Sequence, residues 1–187
     1  MDHVVSKTSS GLYALRRMLH QCNFDTLKAI YYSLIHSHIT YGISIYGATT
    51  KKNMDRILLQ QKRAIRIMYG LKITDSVKNI FIELGILTVY SLYIFETVKY
   101  VFLNCRQNDL HSNRHQYNTR KHRFVEQHRL ELFKKKTTYQ GSKFFDCLPV
   151  AIKREQSKNK CLASLKNYLT NYALYSIEEF FRITSNT

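Results

Sequence analysis

Residues 53–70 read NMDRILLQQKRAIRIMYG, and residues 36–47 before them read HSHITYGISIYG. In the later stretch, apolar residues recur at helical spacing and a glycine closes the run, which predicts a helix from about Asn53 to Gly70. In the earlier stretch, Gly42 and Gly47 bracket a bend. The whole chain holds one proline and six glycines. So few helix breakers favour a mostly helical protein built around these two stretches.

One side of the predicted 53–70 helix is basic. At about 100° per residue, the central cations fall within about 80° of one another and opposite an aliphatic side. The cations are Lys52, Arg56, Arg63 and Arg66, flanked by Lys51 and Lys62. The aliphatic side comprises Met54, Ile57, Leu58, Ala64, Ile65 and Met68. Asp55 is the only acid in the helix, whereas a solvated face usually mixes both signs. We therefore predict contacts with nucleic-acid phosphates, which position a duplex without reading its sequence, and a merely solvated face is the alternative.

Further helices are predicted on both sides of these stretches. Before the bend, they cover residues 12–21 and, after an Asn23 cap, residues 25–41. After Gly70, they cover residues 75–84 and, from a Thr88 cap, residues 88–103. The last of these helices is apolar on nearly every side, so we expect it at the centre of a bundle.

The character of the chain changes after residue 103. Residues 104–123 are polar and without period, which predicts a linker or surface loop. Weak alternation over residues 124–139 indicates a hairpin or an extended arm. Helices are predicted at 141–154, broken at Pro149, at 161–172, and from Ser176 onward. We therefore predict a mostly α fold: a helical bundle at 1–103, a polar linker at 104–123 and a small basic α(+β) C-terminal module at 124–187.

The charge balance points to a polyanionic partner. The 187 residues include 29 basic and 13 acidic ones, a formal net charge of +16. RNA or DNA is the first candidate, and an anionic membrane surface or a solubilising role are the alternatives. The C-terminal module adds cations among aromatic rings, which can hold single strands by charge and stacking unless the rings lie in the core. These further candidate contacts are Arg120, Lys121, Lys134, Lys135 and Lys136.

No motif for catalysis or for a cofactor stands in the sequence. It contains no nucleophile elbow and no phosphate loop, and its aspartates are not paired as a two-metal polymerase requires. Two groups of histidines and cysteines lack the paired-cysteine spacing of zinc sites. They are His20, Cys22, His36 and His38, and Cys105, His111, His115 and His122. We therefore predict no catalytic residue, no metal site and no cofactor.

The location expected for the chain is intracellular, in the nucleus or the cytoplasm. Its four cysteines are scattered, and its first residues lack the long apolar core of a secretory signal. The most apolar segment, residues 86–103, is interrupted by Glu96 and Lys99. We interpret it as a core helix and predict no membrane partner.

Strings along nearly the whole chain resemble the thumb and post-thumb region of jockey-like non-LTR retrotransposon reverse transcriptases. SSGLYALRRM at 9–18 resembles the start of the helical thumb, and residues 27–47 carry the family's Y-x-x-L-x-x-x-x-x-x-Y-G pattern. LLQQKRAIRIMYG at 58–70 resembles the helix that follows. HQYNTRKH at 115–122, YQGSKFFDCLPVAIK at 139–153 and LKNYLTNYALYSIEEFF at 165–181 resemble the region beyond the thumb. The chain departs from the pattern at Tyr46, where family members commonly carry tryptophan.

The resemblance implies a right-handed polymerase whose thumb is a helical bundle that grips the template–primer duplex. That role would fall here to Lys52, Arg56, Lys62, Arg63 and Arg66, and the post-thumb region would hold template RNA. The family's paired catalytic aspartates and the Mg²⁺ that its palm holds have no matching position in this chain, and the palm, fingers and endonuclease would lie before Met1.

The resemblance therefore implies a fragment of an RNA-directed DNA polymerase that is not an enzyme on its own. It would bind an RNA or RNA–DNA duplex without sequence preference, and a separate palm-bearing chain is a further expected partner. The alternative is a helical protein-interaction module, domesticated by its host, whose charge keeps it soluble.

Overall fold

The structure, a computed structural model, describes residues 1–104, 129–155 and 157–185. Across these residues the chain is helical and forms no β-strand, which confirms the predicted mostly α fold. The helices are α1 (Asp2–Met18), α2 (Phe24–Tyr31), α3 (Ser37–Thr40), α4 (Ile43–Tyr46), α5 (Lys51–Tyr69), α6 (Lys78–Leu84), α7 (Val89–Asn104), α8 (Thr137–Cys147), α9 (Val150–Lys153), α10 (Lys158–Tyr172) and α11 (Ile177–Ser185). The predicted 104–123 linker lies outside the described residues except for Asn104, which ends α7.

The first helix is longer than its sequence pattern predicts. It begins at Asp2, well before the expected start at Leu12. The serine-rich stretch is helical, and within it the Ser9 hydroxyl donates a hydrogen bond of 2.8 Å to the backbone carbonyl four residues before it. Gly11 lies where α1 packs against the segment Tyr32–His36, and a Cβ atom there would sit 2.7 Å from Cγ1 of Ile35. The glycine therefore permits close packing inside the helix rather than marking its start.

The second helical segment begins as predicted and contains a π-helical turn that the sequence pattern does not predict. The Asn23 side chain caps α2, because its Oδ1 accepts the Thr26 N–H at 3.0 Å. After α2 the chain continues through a π-helical turn at Tyr32–His36 into α3. Gly42 then adopts a left-handed φ of 70°, which ends the segment close to the predicted limit at Tyr41.

α7 lies at the centre of the bundle, as predicted. It packs against α4, α5, α8 and α10, and most of its residues are buried. Thr88 caps it, with Oγ1 accepting the Ser91 N–H at 3.2 Å, and the same hydroxyl donates to the Leu174 carbonyl beyond α10. Within the described ranges, no single helix has the length and apolar character needed to cross a membrane. α6 and α7 meet that criterion only jointly, as a pair bent by 46°.

A buried glutamine of α5 joins this helix to two others, α2 and α7. Gln61 of α5 is fully buried, and its Nε2 donates to the Tyr31 hydroxyl at 3.1 Å and to the Leu87 carbonyl at 3.3 Å. Its Oε1 accepts the Val89 N–H at 2.7 Å. Since Val89 is the first residue of α7, this bond satisfies a backbone donor that has no partner inside its own helix. The side chain thus positions α5 against α2 and the start of α7.

The C-terminal module is helical over the residues described, so the expectation of a hairpin or extended arm is wrong for 129–139. Residues 131–135 form a 3-10 turn, and α8 begins at Thr137. Gly141 explains the docking of α8, because a Cβ atom there would lie 2.7 Å from the Thr97 carbonyl oxygen of α7. Such contact with a distant helix overrides a weak local alternation. Residues 124–128 of the expected arm lie outside the described residues.

The later helices share the core of the bundle. Phe144 of α8 is fully buried and meets Tyr93 of α7 edge to face, with ring centroids 5.6 Å apart. Phe180 of α11 packs against the same Phe144 ring at 5.7 Å. Pro149 stands at the start of α9, as its predicted role of helix breaker requires. One hydrophobic core therefore receives side chains from residues on both sides of the predicted linker.

Candidate nucleic-acid interface

The basic helix α5 forms within two residues of its predicted limits. It runs from Lys51 to Tyr69, and Gly70 closes it with a left-handed φ of 65°. The N–H groups of Gly70 and Leu71 bond to the carbonyls of Ile67 at 3.2 Å and Arg66 at 2.9 Å. These bonds satisfy carbonyls that the helix end would otherwise leave open.

The two sides of α5 differ as its sequence predicts. Lys52, Arg56 and Arg63 are exposed on the outward side, together with Leu59, which is 43% exposed. All six aliphatic residues predicted to face inward are buried. The amphipathic arrangement of α5 is therefore confirmed, whereas nucleic-acid binding by its outward side stays a prediction.

Arg56 has an acidic neighbour in α1. Its guanidinium lies 2.8 Å from the Asp2 carboxylate, with side chains that are 43% and 87% exposed. The hydrogen bond and charge of Arg56 hold the pKa of Asp2 below its ordinary value. Because both groups remain open to water, the pair contributes little to stability, and a phosphate can compete with Asp2 for the guanidinium.

Arg66 holds a turn of the protein itself. Its Nε and Nη2 both donate to the Asp75 backbone carbonyl, at 3.1 and 2.9 Å. The Asp75 carboxylate in turn accepts the Lys72 N–H at 2.8 Å. The carbonyl carries no net charge and does not compensate the charge of Arg66, but two of the guanidinium donors are already engaged. Sequence spacing alone does not reveal this structural role.

The ammonium group of Lys62 packs on the ring of Tyr175, a residue near the C-terminal end of the chain. Its Nζ is 3.7 Å from the centre of the Tyr175 ring, and Lys78 Nζ is 5.2 Å from the same centre. Burial lowers the pKa of Lys62, and the neighbouring Arg66 adds to that effect. Burial raises the pKa of Tyr175 to about 12, so the ring stays neutral beside its two lysines. Cation–π contact of this kind orients both ammonium groups.

The start of α11 brings two carboxylates to this edge of α5. Glu178 lies 3.8 Å from Lys51, with both side chains exposed, and Glu179 lies 3.2 Å from Lys78. Burial acts to raise the pKa of Glu179, but its bonds to the Tyr175 N–H and to Lys78 outweigh burial and leave the pKa below its ordinary value. The start of α11 therefore places negative charge beside Lys51 of α5 and Lys78 of α6.

Two cations of α5 remain without a partner among the described residues. The side chains of Lys52 and Arg63 make no hydrogen bond or ion pair within residues 1–104, 129–155 and 157–185, and both are exposed. The neighbours that sequence reasoning missed are Asp2, Asp75, Lys78, Tyr175 and Glu178. Of these, Asp75 and Glu178 carried a signal, because each is an acidic residue in the first turn of a predicted helix.

The predicted cations of the C-terminal module lie apart from α5 in sequence, on the turn before α8. Lys134 lies 2.5 Å from the Glu131 carboxylate, and Lys136 Nζ lies 4.3 Å from the centre of the Phe133 ring. Lys135 is exposed. The adjoining Thr137 hydroxyl donates to the Ser44 carbonyl of α4 at 2.8 Å, which ties this turn to the bundle. Arg120 and Lys121 lie outside the described residues.

No group of three or more metal-ligating side chains comes together within the part of the chain that the structure describes. His20, Cys22, His36 and His38 belong to that part, whereas Cys105, His111, His115 and His122 lie outside it. Chemically, the arrangement on α5 offers charge and hydrogen-bond donors to an anionic surface. No family model, curated protein or solved structure matches the chain.

Proposed function

We propose that this chain is the thumb and post-thumb part of a jockey-like non-LTR retrotransposon reverse transcriptase. It grips an RNA or RNA–DNA duplex through the outward side of α5, without reading sequence. The family resemblance of residues 9–18, 27–47 and 58–70 supports this proposal. The observation that carries the gripping role is the pair of exposed, unpartnered cations Lys52 and Arg63, with Arg56 between them.

The geometry of these three side chains suits a phosphate backbone. They lie on one side of α5, and Lys52 and Arg63 are eleven positions apart, a rise of about 16 Å along the helix. Arg56 gives up only a solvent-exposed partner when it turns to a phosphate. The aliphatic side of α5 is buried in the core, so the helix that carries the three cations is held in place. Non-specific duplex binding needs no more than such a row of phosphate contacts.

Polymerisation would require the palm. A two-metal polymerase holds its ions with clustered aspartates, and no position of this chain matches the family's paired catalytic aspartates. We therefore propose that the chain does not extend primers alone. Primer extension that appears only when a palm-bearing chain is added would support a gripping role for this fragment.

Exposed apolar side chains favour a second function, a helical protein-interaction module. Leu59 interrupts the basic row, and Tyr41, Ile45 and Ile73 are 85%, 77% and 89% exposed. Scattered exposed apolar residues are common, but a partner protein could cover them. This alternative predicts no steep dependence of binding on salt.

The salt dependence of duplex binding tests the proposal. A face that makes three phosphate contacts loses about 40-fold in affinity for an RNA–DNA hybrid between ~50 and ~200 mM salt. Lys52→Glu with Arg63→Glu should weaken binding at ~50 mM salt and make the log–log slope shallower by about 2. Both side chains are exposed, so the variant should stay folded by circular dichroism.

A matched control distinguishes the effect of this surface on duplex binding from the effect of the net charge of the chain. Lys158→Glu with Lys160→Glu, on exposed positions of α10, changes the net charge equally and should leave the slope of the wild type. Equal weakening by the two pairs of substitutions would refute the α5 surface. The absence of binding to any duplex at ~50 mM salt would refute the proposed function.

A further inference from the structure

A pocket of about 190 Å³ opens on the bundle away from the outward side of α5. The π-helical turn after α2 forms one wall with Tyr32 and His36, and Leu87 and Phe95 form the apolar wall. Lys166 of α10 stands at its rim. At ~30 Å³ of liquid volume per water molecule, the pocket has room for about six waters or one small organic molecule.

The wall formed by the π-helical turn is an unusual piece of backbone. The Ser37 N–H bonds to the Tyr32 carbonyl, one residue further back than in an α-helix. This widened turn carries both Tyr32 and His36 to the pocket, with ring centroids 5.1 Å apart and edge-to-face. Single π turns are rare, and they recur at functional sites.

His36 has hydrogen-bonding capacity that the protein does not use. No described residue bonds to either ring nitrogen, and Nδ1 is buried without a partner. Burial lowers the pKa of His36, and the charge of Lys166 lowers it further. The imidazole is therefore neutral at pH 7, with Nε2 as the nitrogen that a ligand can reach.

The charged side chains at the rim of the pocket differ in whether they already have an ion-pair partner. Glu96 lines the pocket, but its carboxylate already pairs with Lys99 at 3.3 Å. Lys166 is exposed and makes no ion pair within the described part of the chain. The uncommitted charge beside the pocket is therefore positive, and it selects an anionic group.

We propose that this pocket binds a small carboxylic acid with an aromatic or apolar body. The body lies against Leu87, Leu92 and Phe95, and the carboxylate lies between Lys166 and the imidazole of His36. This assignment is independent of duplex binding by α5. It gives the π-helical turn a role, and it gives Nε2 of His36 a partner that no described residue supplies.

The proposal is tested with 3-phenylpropionate on the full-length chain by NMR. Titration should shift the methyl signals of Leu87 and Leu92 saturably, with a Kd of ~1 mM or below, the range open to a ligand of this size. The neutral analogue 3-phenylpropan-1-ol should bind more weakly. Bound carboxylate should also raise the pKa of His36 in an imidazole titration, because a nearby anion favours the charged ring; Tyr32, Glu96 and Lys166 are the other titratable groups that face it.

Substitutions at exposed lysines of α10 supply the control. Lys166→Gln should raise the Kd for the acid ~3-fold and leave the Kd for the alcohol unchanged, as expected for one solvent-exposed ion pair. Lys160→Gln, on the same helix but away from the pocket, should change neither value. The proposal is overturned if no saturable shift appears up to ~20 mM probe, or if acid and alcohol bind equally. An unchanged Kd for the acid in Lys166→Gln would also overturn it.

Discussion

Replacing Gln61 with leucine should strongly destabilise the bundle, although leucine is more apolar and of similar size. Gln61 is fully buried, and its amide bonds to the Tyr31 hydroxyl, the Leu87 carbonyl and the Val89 N–H at 3.1, 3.3 and 2.7 Å. All three partners are buried as well, so water cannot replace the lost bonds. The substitution leaves one acceptor, one donor and one hydroxyl unsatisfied in the core.

The magnitude follows from those three groups. Each buried polar group that loses its partner costs about 1–3 kcal/mol, and the added apolar surface of leucine returns about 1–2 kcal/mol. We expect a net loss of roughly 4 kcal/mol in the free energy of unfolding, a large part of the ~5–15 kcal/mol typical of a folded domain. With an m value of about 2 kcal/mol/M in urea, the midpoint of unfolding should fall by about 2 M.

Urea unfolding followed by far-UV circular dichroism measures this loss, and the preceding residue supplies the control. Gln60 is also buried, but its Oε1 has no hydrogen-bond partner among the described residues. Gln60→Leu removes a polar atom that is already unsatisfied, so we expect it to be neutral or stabilising by up to ~1 kcal/mol. If Gln61→Leu lowers the stability by less than ~1 kcal/mol, or if both substitutions cost the same, the role assigned to Gln61 is wrong.

Three more predictions concern packing and pH. A Cβ atom at Gly47 would lie 2.1 Å from the Tyr93 ring, so Gly47→Ala should cost at least ~2 kcal/mol and lower the thermal midpoint by ~5 °C or more; an unchanged midpoint would contradict the packing. Leu58→Asp, at a position 4% exposed, should abolish cooperative unfolding, whereas Leu59→Asp, at a position 43% exposed, should leave it intact in the same melt. Because the folded pKa of Glu179 lies below its ordinary value of 4.5, the stability it contributes is present above pH 4.5 and is lost as the pH falls through the folded pKa. The stability difference between wild type and Glu179→Gln should therefore shrink below pH 4.5, and a difference that grows there would refute the assignment.

Features set by neighbours in sequence were predictable. The Asn23 cap, the Gly70 termination and the two-sided character of α5 all depend on contacts within about one helical turn or on helical period. Ser176 likewise starts α11 as expected, with its Oγ accepting the Glu179 N–H at 3.1 Å. Such signals depend on residues close in sequence, so they do not require knowledge of the tertiary packing.

Features that depend on distant packing were missed. The sequence pattern predicts a first helix that starts at Leu12, yet Gly11 lies inside α1, where the absence of a side chain lets Ile35 pack closely. Gly141 similarly permits α8 to approach α7, and that contact replaces the expected hairpin or arm over 129–139. The π-helical turn at Tyr32–His36 also has no local signature in composition. These features depend on which helix surfaces pack together in the folded protein. Local helix and strand propensities do not specify that packing.

The sequence alone determined that α5 is a helix with one basic and one aliphatic side, because the period of its residues is sufficient for both. Only the tertiary structure decided which of those cations stay available. Arg56 meets Asp2, Arg66 meets the Asp75 carbonyl and Lys62 meets the Tyr175 ring, while Lys52 and Arg63 stand without a partner among the residues described. Asp2 and Tyr175 come from opposite ends of the chain, and folding alone brings them to the same helix. Which charged side chains pair depends on the distance between them in the folded protein. The helical period of a sequence carries no information about that distance.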